Sequence, residues 1–565
     1  MRTLGAASPA AWDFSGIEVF WERFTPLSPW GKDEKERRRV LADRASIEAL
    51  YDATDAALAL LARCGDDSST IDRITYHLKR LPRLSLAEPE KGAAYELTEL
   101  FQVKKFIANY RAVAALVGEE AASFFGLHFG SERLAAALDL GGSDAETFYV
   151  ADAYDERLRT LRKRIREADA AIAEARAAAA AAALERHGVD FGGREFVVVS
   201  HTAARGMLED RASFSIEAYD DSSYIARIQP GDRELALAAE REGLLEAELA
   251  VEETVLAALS RLVIEALPSL RSYVEAVAAF DLARARAELA MRFRLVRPLL
   301  SKAEETEGGG RAGLRLADGR YLPCAWECER LGLRYTPIDL SLDERAAVIF
   351  GSNMGGKTVA LKSLLFMQIL AQAGFFVPAG TFATSAYPLV HYVGELGGQF
   401  RIEGLSGFGF EIRSFVEAWE GSRGGAFVVF DEFARTTSSR EAEAILSAVL
   451  EALAARPGVR CLFSTHFRGV ARMPGVRYLR VRGLNRASAR EAICEDRAEE
   501  ASSAEPLNER IRRINGMMEY GLVDDATVDG AGSDAVAIAS LLGLDRGIVE
   551  RAEEFYAGGR GCGPG

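Results

Sequence analysis

The feature that most constrains this chain is a glycine-rich segment that lies between an apolar run and a helical pattern. Residues 351–358 read GSNMGGKT and fit the pattern G-x-x-x-x-G-K-[ST], and the apolar run before them, residues 346–350, suits a buried strand. Glycines allow backbone N–H groups to converge on phosphate oxygens, and the N terminus of the following helix adds positive potential. A chance glycine-rich turn is the alternative, but the strand–loop–helix context favours a phosphate-binding loop.

This loop predicts binding of ATP together with Mg²⁺. The Lys357 ammonium group can reach the β- and γ-phosphates, and the Thr358 hydroxyl can bind Mg²⁺. Strand and helix patterns alternate through the rest of the C-terminal part, as a mostly parallel sheet requires. The residues predicted to contact the nucleotide are Gly351, Ser352, Asn353, Met354, Gly355, Gly356, Lys357 and Thr358.

Two carboxylates end a second apolar run, which reads AFVVFDEF over residues 426–433. In this position Asp431 would hold Mg²⁺, and Glu432 would polarise the water that attacks the γ-phosphate. A strand that ends in a solvated acidic pair is the alternative, and the presence of the phosphate-binding loop argues against it. The chain is therefore predicted to be an ATPase that converts ATP and water to ADP and phosphate.

A histidine follows a third apolar run, in the segment CLFSTHF over residues 461–467. Beyond the end of a strand, His466 can sense the γ-phosphate or orient the attacking water. A buried structural histidine is an alternative that the sequence leaves open. The predicted catalytic residues are Glu432 and His466.

The first half of the chain predicts long helices around a β-rich segment. Residues 41–150 show helical periodicity, and a strong helix is predicted over about 152–186, where it would span roughly 50 Å. Residues 192–228 instead favour strands and turns, and helical periodicity returns over about 231–297. An antiparallel pair of helices that carries a small β-rich tip is the simplest interpretation.

Charge and cysteine usage limit the surroundings and the partners. The formal net charge of −15 lowers the expectation of nucleic-acid binding, although one local basic surface would suffice for it. Six scattered cysteines match no zinc spacing and are too sparse for a secreted protein, so we expect a reducing cytoplasm. The sequence has no apolar run of transmembrane length and no signal-peptide pattern, and we expect no membrane partner.

Several segments together resemble the MutS family. GSNMGGKT with the following LKSLLFMQILAQAGFFVPA is similar to the family's Walker A segment, and DEFARTTSS resembles its DE-x-G-R-G-T-S-T stretch. STH resembles its A-T-H, and SGFGFE over residues 406–411 resembles its S-T-F-x-x-E signature. The segment SDAVAIASLLGLDRGIVERAEEF is similar to its closing helix-turn-helix. The resemblance covers roughly residues 25–556 and is most specific over residues 345–470.

This resemblance implies both a fold and an assembly. The fold would be an α/β P-loop ATPase domain of the ABC type, preceded by an α-helical core and lever domain with a small β-rich clamp tip. The assembly would be a homodimer with composite ATP sites, in which Ser406 reaches the γ-phosphate bound by the other subunit. ATP binding would close the dimer and hydrolysis would reopen it, and this cycle would move the lever helices and their tips.

The predicted domains follow from the composition and the resemblance together. We predict an N-terminal segment (1–40), a helical core with the first lever helix (41–191), a clamp-like tip (192–229), a second lever helix (230–300), the P-loop ATPase domain (301–505) and a C-terminal helix-turn-helix dimerisation segment (506–565).

The sequence also departs from the family pattern. Ser352 replaces a proline, and Ala434 and Thr436 replace two glycines of the DE-x-G-R-G stretch; we expect hydrolysis to survive these changes. Mismatch-repair members carry a mismatch-reading domain and a connector of on the order of 100 residues each before the core, and we expect this chain to lack both. Residues 20–22, Phe-Trp-Glu, match the reader's F-x-E motif, but we favour a packed aromatic residue and a surface acid.

Two functions follow as hypotheses. The first is a MutS-type, ATP-driven DNA clamp that acts in mismatch repair or recombination without its own mismatch reader, so DNA is a candidate partner. The second is a protein-remodelling ATPase, because short relatives of this layout are proposed to reactivate cobalamin-dependent lysine or ornithine aminomutases. The tip segment 192–228 has four arginines, no lysine and six acidic residues, which suits the second hypothesis better. The intact Lys357, Thr358, Asp431 and Glu432 argue against a third alternative, an inactive scaffold.

Overall fold

The computed structural model describes residues 5–65, 68–90, 93–142, 147–301, 313–351, 355–394, 407–498, 507–527 and 534–558. Its α-helices are α1 Pro9–Ser15, α2 Glu18–Trp21, α3 Pro29–Arg37, α4 Arg44–Cys64, α5 Ser68–Arg80, α6 Leu97–Leu116, α7 Gly118–Phe125, α8 Glu132–Asp139, α9 Glu156–His187, α10 His201–Glu209, α11 Asp232–Phe293, α12 Leu322–Leu331, α13 Lys357–Gln372, α14 Gly407–Gly421, α15 Ser439–Ala455, α16 Arg486–Ala498, α17 Leu507–Met517, α18 Asp534–Leu541 and α19 Arg546–Gly558. Its strands are β1 Val197–Ser200, β2 Phe214–Ala218, β3 Ser223–Ile228, β4 Leu299–Ser301, β5 Leu314–Gly319, β6 Ile338–Leu342, β7 Ala346–Phe350, β8 Thr381–Ser385, β9 Leu389–Gly394, β10 Ala426–Asp431, β11 Val459–Thr465, β12 Val476–Leu484 and β13 Met518–Asp524.

The described residues form two compact units. One comprises residues Met1–Thr75, Glu119–Phe125 and Ala276–Gly565, and the other comprises Tyr76–Gly118 and Gly126–Glu275. The first unit contains both larger sheets, so the predicted α/β class is confirmed. The lever and clamp assignments, and the six domain boundaries given above, stay predictions.

A six-stranded sheet organises the first unit, in the order β13-β12-β7-β11-β10-β9. All of its pairings are parallel except that of the edge strand β13 with β12, which is antiparallel. The central strands β7, β10 and β11 are almost entirely buried, as expected for parallel strands that helices cover on both faces. Their near-continuous apolar sequences follow from that double burial. A second sheet has the order β4-β8-β5-β6.

Alternate residues of these strands enter two separate cores. Ala347 and Ile349 of β7 lie in one core with the apolar residues of α13, whereas Val348 and Phe350 lie in the other core with those of α15. Strand geometry sends successive side chains to opposite faces, so one apolar run supplies both cores. This packing holds the carboxyl ends of the parallel strands in place, and the loops that follow them carry the candidate site.

The N-terminal segment packs into the first unit. Phe20 and Trp21 are 0% and 5% exposed and contact Phe375 edge to face, with ring centroids 5.6 and 5.3 Å apart. Glu22 is exposed on the surface. This arrangement fits a packed aromatic pair beside a surface acid, which is the structural interpretation of the F-x-E match. Nearby, the ring of Phe14 stacks on Tyr392 of β9, with centroids 3.8 Å apart.

The second unit contains α9 and a three-stranded antiparallel sheet in the order β1-β3-β2. Helix α9 is 32 residues long and is capped at its C terminus by Gly188, whose φ of 68° is the left-handed conformation common there. The sheet lies between α9 and α11 in the chain, and α11 is 62 residues long and spans the boundary between the two units. Within the described part of the chain, no helix combines the length and apolarity needed to cross a bilayer.

Candidate active site

The predicted site residues follow the carboxyl ends of three neighbouring parallel strands. Strand β11 pairs with both β7 and β10, and this register places Thr465 beside Phe350 and Ser464 beside Asp431. The phosphate-binding loop, the acidic pair and the histidine therefore emerge at one edge of the sheet. This is where ligands of open α/β sheets bind.

Lys357 begins helix α13 and points into this edge. Its side chain is 1% exposed, and its Nζ lies 2.6 Å from the Gly351 carbonyl oxygen, to which it donates a hydrogen bond. The same Nζ lies 3.5 Å from Glu432 Oε1. Burial lowers the pKa of the Lys357 ammonium group, whereas Glu432 and Asp431 act to raise it. The cation is thus held between a backbone carbonyl and the acidic pair, where it can meet a phosphate.

The helix N terminus beside Lys357 requires glycine. Gly356 is the N-cap of α13 and has a φ of 89°, a left-handed conformation that glycine adopts without steric cost. A Cβ at this position would lie 3.0 Å from Tyr520 Cδ1 of β13. Gly355 precedes it and is buried. The backbone therefore approaches any phosphate closely here. The predicted contacts Ser352, Asn353 and Met354 lie outside the described residues.

The two predicted Mg²⁺ ligands lie together. Thr358 Oγ1 donates a hydrogen bond to Asp431 Oδ1 at 3.3 Å, and Ser464 Oγ donates to the same oxygen. Burial raises the pKa of Asp431, and these two hydroxyl groups oppose that effect. One hydroxyl and one carboxylate beside a phosphate loop fit the oxygen ligands that Mg²⁺ prefers, with phosphate and water completing its shell. In the part of the chain that the structure describes, no group of three or more His, Cys, Asp and Glu side chains forms a metal site without phosphate.

Glu432 is held in an uncommon backbone conformation. Its φ of 50° is left-handed, and its amide donates to the Ser464 carbonyl oxygen at 3.2 Å and to Ser464 Oγ at 3.1 Å. Left-handed residues other than glycine carry strain and cluster at functional sites. The Glu432 side chain is 13% exposed and aims at Lys357. Its conformation therefore directs the carboxylate towards the phosphate side of the site.

His466 lies beside the same carboxylate. Its Nδ1 is 4.0 Å from Glu432 Oε1, and its side chain is 46% exposed. That exposure does not fit the alternative of a buried structural histidine. The remaining predicted site residue, Ser406, lies outside the described residues, and its role stays a prediction.

Comparison with known proteins gives a consistent assignment. Residues 347–492 match the family model described as MutS domain V, and this range includes the phosphate-binding loop and the acidic pair. The endonuclease MutS2 of Geobacillus kaustophilus is 27% identical over 551 residues, which are 93% of this chain and 62% of that protein. The DNA mismatch repair protein MutS of Natronomonas pharaonis is 26% identical over 554 residues, which are 93% of this chain and 57% of that protein.

The domain V match and the two long matches support a MutS family member. A shorter match, to the endonuclease MutS2 of Thermomicrobium roseum, reaches 35% identity over 223 residues, or 38% of this chain and 27% of that protein. The chain thus spans about 60% of the length of the two MutS relatives that it matches almost throughout, at 62% and 57%.

Three contacts at the candidate site were not predicted from the sequence. Ser464 holds both members of the acidic pair, Glu411 accepts a hydrogen bond from the Ala434 amide at 2.8 Å, and Tyr520 packs against Gly356. A signal for Glu411 exists in the sequence, because this acid lies among the inward-facing apolar residues of α14. No comparable local signal marks Tyr520, which belongs to the edge strand β13.

The structure also shows the consequence of one departure from the MutS pattern. Ala434 occupies a position where the pattern has glycine, and its φ of 63° is left-handed. Glycine adopts this conformation freely, whereas a Cβ makes it unfavourable by roughly 1–2 kcal/mol. The segment from Glu432 to Ala434 therefore has left-handed residues at both ends, and other contacts must stabilise them.

Proposed function

We propose that this chain is a MutS-family ATPase, and that ATP binding and hydrolysis drive its action on DNA in repair or recombination. The observation that carries the proposal is the convergence of Lys357, Thr358, Asp431 and Glu432 at one edge of the parallel sheet. The lysine supplies a cation that can bind phosphate, the threonine and the aspartate supply two Mg²⁺ ligands, and the glutamate supplies a base for the attacking water. Preorganised charges of this kind account for most of the catalysis in phosphoryl transfer.

Each residue has a proposed role in hydrolysis. Lys357 would leave Glu432 and bind the β- and γ-phosphates, so that the Glu432 carboxylate becomes available to a water molecule. Glu432 would orient and polarise that water, and His466 would contact the γ-phosphate or the same water. Thr358 and Asp431 would hold Mg²⁺, which when bound neutralises charge on the phosphate oxygens.

Mg²⁺ dependence tests the metal assignment. We expect EDTA to abolish hydrolysis and excess Mg²⁺ to restore it. Asp431→Asn should raise the Mg²⁺ concentration needed for half-maximal turnover by on the order of 10–100-fold, because a neutral amide holds the ion less firmly. Phosphate release measured against Mg²⁺ concentration checks this result. Glu451→Gln, at an exposed position on α15, is the matched control and should titrate like the parent; an Asp431→Asn curve that overlays the parental curve would contradict the assignment.

Homodimerisation is part of the proposal. Near the C-terminal end of the described chain, helix α19 exposes large apolar side chains: Ile548 is 56% exposed and Phe555 is 67% exposed. Exposed apolar residues on one short helix support a protein contact, although scattered single ones are ordinary. The predicted contribution of Ser406 to the partner's ATP site requires the same assembly. Sedimentation with and without ATP measures whether the dimer forms.

A second candidate function is favoured by the charges of the second unit. Residues 157–166 of α9 are rich in arginine and lysine and could contact phosphates. However, Arg162 lies 2.6 Å from both Glu248 and Glu252 of α11. Arg164 likewise lies 2.7 Å from Glu240. Paired cations have less charge to offer DNA phosphates. A protein-remodelling ATPase is therefore the second proposal, with a cobalamin-dependent lysine or ornithine aminomutase as the candidate partner.

DNA binding at several salt concentrations separates the two functions. A clamp that makes only two or three phosphate contacts should lose about 12–40-fold in affinity between 50 and 200 mM salt. Gel shift or fluorescence anisotropy with duplex, branched and mismatched DNA, each with and without ATP, measures this slope. Absence of binding to every DNA at low salt, together with ATP-dependent binding of the aminomutase, would contradict the DNA function and support the remodelling function.

A further inference from the structure

Glu411, like Asp281, is a buried acidic residue of the first unit. It lies on the inward face of α14, is 3% exposed, and neighbours the apolar side chains of Phe408, Ile412 and Phe415 on the same helix. Burial raises the pKa of this carboxyl group. A carboxylate in an apolar stripe costs stability unless it makes a specific contact. The hydrogen-bond partner of Glu411 therefore indicates its role.

That contact is with the loop that carries the proposed base. Glu411 Oε2 accepts a hydrogen bond from the backbone amide of Ala434 at 2.8 Å, and Ala434 is itself fully buried. Two residues before Ala434 lies Glu432, and both residues have left-handed backbone conformations. A hydrogen bond to the Ala434 amide fixes the plane of that peptide group. It therefore opposes the relaxation of Ala434 to an ordinary conformation, which would turn the adjoining residues.

The helix that carries Glu411 is itself fixed to the sheet. Ser414 Oγ, one turn along α14, donates to the Tyr392 carbonyl oxygen of β9 at 3.3 Å. At the start of α14, a Cβ on Gly407 would lie 3.6 Å from Thr436 Cγ2, so the helix begins close to the loop. Strand β9 pairs with β10, which leads into Glu432. The helix that carries Glu411 and the strand that leads into Glu432 are therefore both attached to the same sheet.

From this geometry we propose that Glu411 is a positioning residue for hydrolysis, which holds Ala434 left-handed and thereby aims the Glu432 carboxylate at the attacking water. The proposal rests on the proposed ATPase function. In this role Glu411 acts through the loop, by its bond to the Ala434 amide. This support matters more in this chain than in the MutS pattern, because alanine is strained in the left-handed conformation and the glycine of the pattern is not.

The test uses single variants and one double variant of the full-length protein. Glu411→Ala should lower kcat on the order of 10–100-fold with KM for ATP changed less than threefold, because misaligning a base slows chemistry more than binding. Glu411→Gln keeps an oxygen acceptor for the Ala434 amide and should stay within about threefold of the parental kcat. Glu417→Ala, at an exposed acid on the same helix, is the control and should behave like the parent.

The double variant distinguishes positioning of the loop from a general contribution of Glu411 to folding stability. Ala434→Gly lets residue 434 adopt the left-handed conformation without a Cβ, so Glu411→Ala/Ala434→Gly should recover about tenfold of the lost kcat. Amide hydrogen exchange over residues 431–436 should accelerate at least tenfold in Glu411→Ala and return towards the parental rate in the double variant.

Three results would overturn the positioning role. They are a parental kcat for Glu411→Ala, an equal loss in Glu411→Gln and Glu411→Ala, and a double variant no faster than Glu411→Ala. A parental protein that turns over no ATP would instead defeat the proposed ATPase function, and the positioning role with it. The two failures are therefore distinguishable from the parental rate alone.

Discussion

Glu432→Gln is expected to bind ATP and fail to hydrolyse it. The amide keeps the size of the side chain but cannot accept a proton or polarise water strongly, and loss of a general base costs typically 10²–10⁴-fold in rate. The 3.5 Å ion pair with Lys357 is also lost, which leaves that ammonium group freer to bind phosphate. Nucleotide affinity should therefore be kept or increased, while kcat falls at least 100-fold.

The same variant should accumulate in the ATP-bound assembly. If ATP closes a dimer and hydrolysis reopens it, a variant that stops before hydrolysis stays closed. Single-turnover quench measurements give the chemical rate, and sedimentation with ATP and Mg²⁺ gives the assembly state. Glu451→Gln, the exposed control on α15, should hydrolyse ATP like the parent and reopen. Turnover of ATP by Glu432→Gln at the parental rate would show that the base has been misassigned.

The candidate site was largely predictable because its parts are local in sequence. A glycine loop between a strand and a helix, and carboxylates at the end of an apolar run, each show their chemistry within a few residues. The structure then brings Lys357 and Glu432 to within 3.5 Å because β11 lies between their strands and pairs with both. Parallel-sheet geometry makes that convergence expected once the strands are recognised.

The contacts that support the site were less predictable, because they depend on strand order and backbone conformation. The hydrogen bond between the Ala434 amide and Glu411 requires α14 to pack beside the loop. The φ of 63° at Ala434 cannot be predicted from the spacing of apolar residues in the sequence. Tyr520 reaches Gly356 only because β13 joins the sheet antiparallel at its edge, beside β12. The helical stretches of the second unit, by contrast, were visible in the sequence, since long runs of strong helix formers depend little on their partners.

Lys357→Ala is expected to remove ATP binding almost completely. The lysine Nζ is buried, and its hydrogen-bond partner in the structure is the carbonyl oxygen of Gly351, the first residue of the phosphate-binding loop. Each hydrogen bond to a charged group contributes about 1.5–3 kcal/mol, so loss of two phosphate contacts should weaken affinity on the order of 10²–10⁴-fold. Isothermal titration calorimetry or a fluorescent ATP analogue measures the affinity directly.

The control for this variant lies on the same helix. Lys362 of α13 places its ammonium group 5.2 Å from the centroid of the Phe14 ring, away from the phosphate loop, so Lys362→Ala should bind ATP like the parent. Removing Lys357 also removes the cation that lies beside Glu432 and Asp431, and this can lower the stability of the fold. Thermal unfolding of each variant must therefore be measured separately from ATP binding. A folded Lys357→Ala protein that binds ATP as tightly as the parent would show that the buried ammonium group serves stability alone. In that case the convergence of charges at the sheet edge would not amount to a nucleotide site.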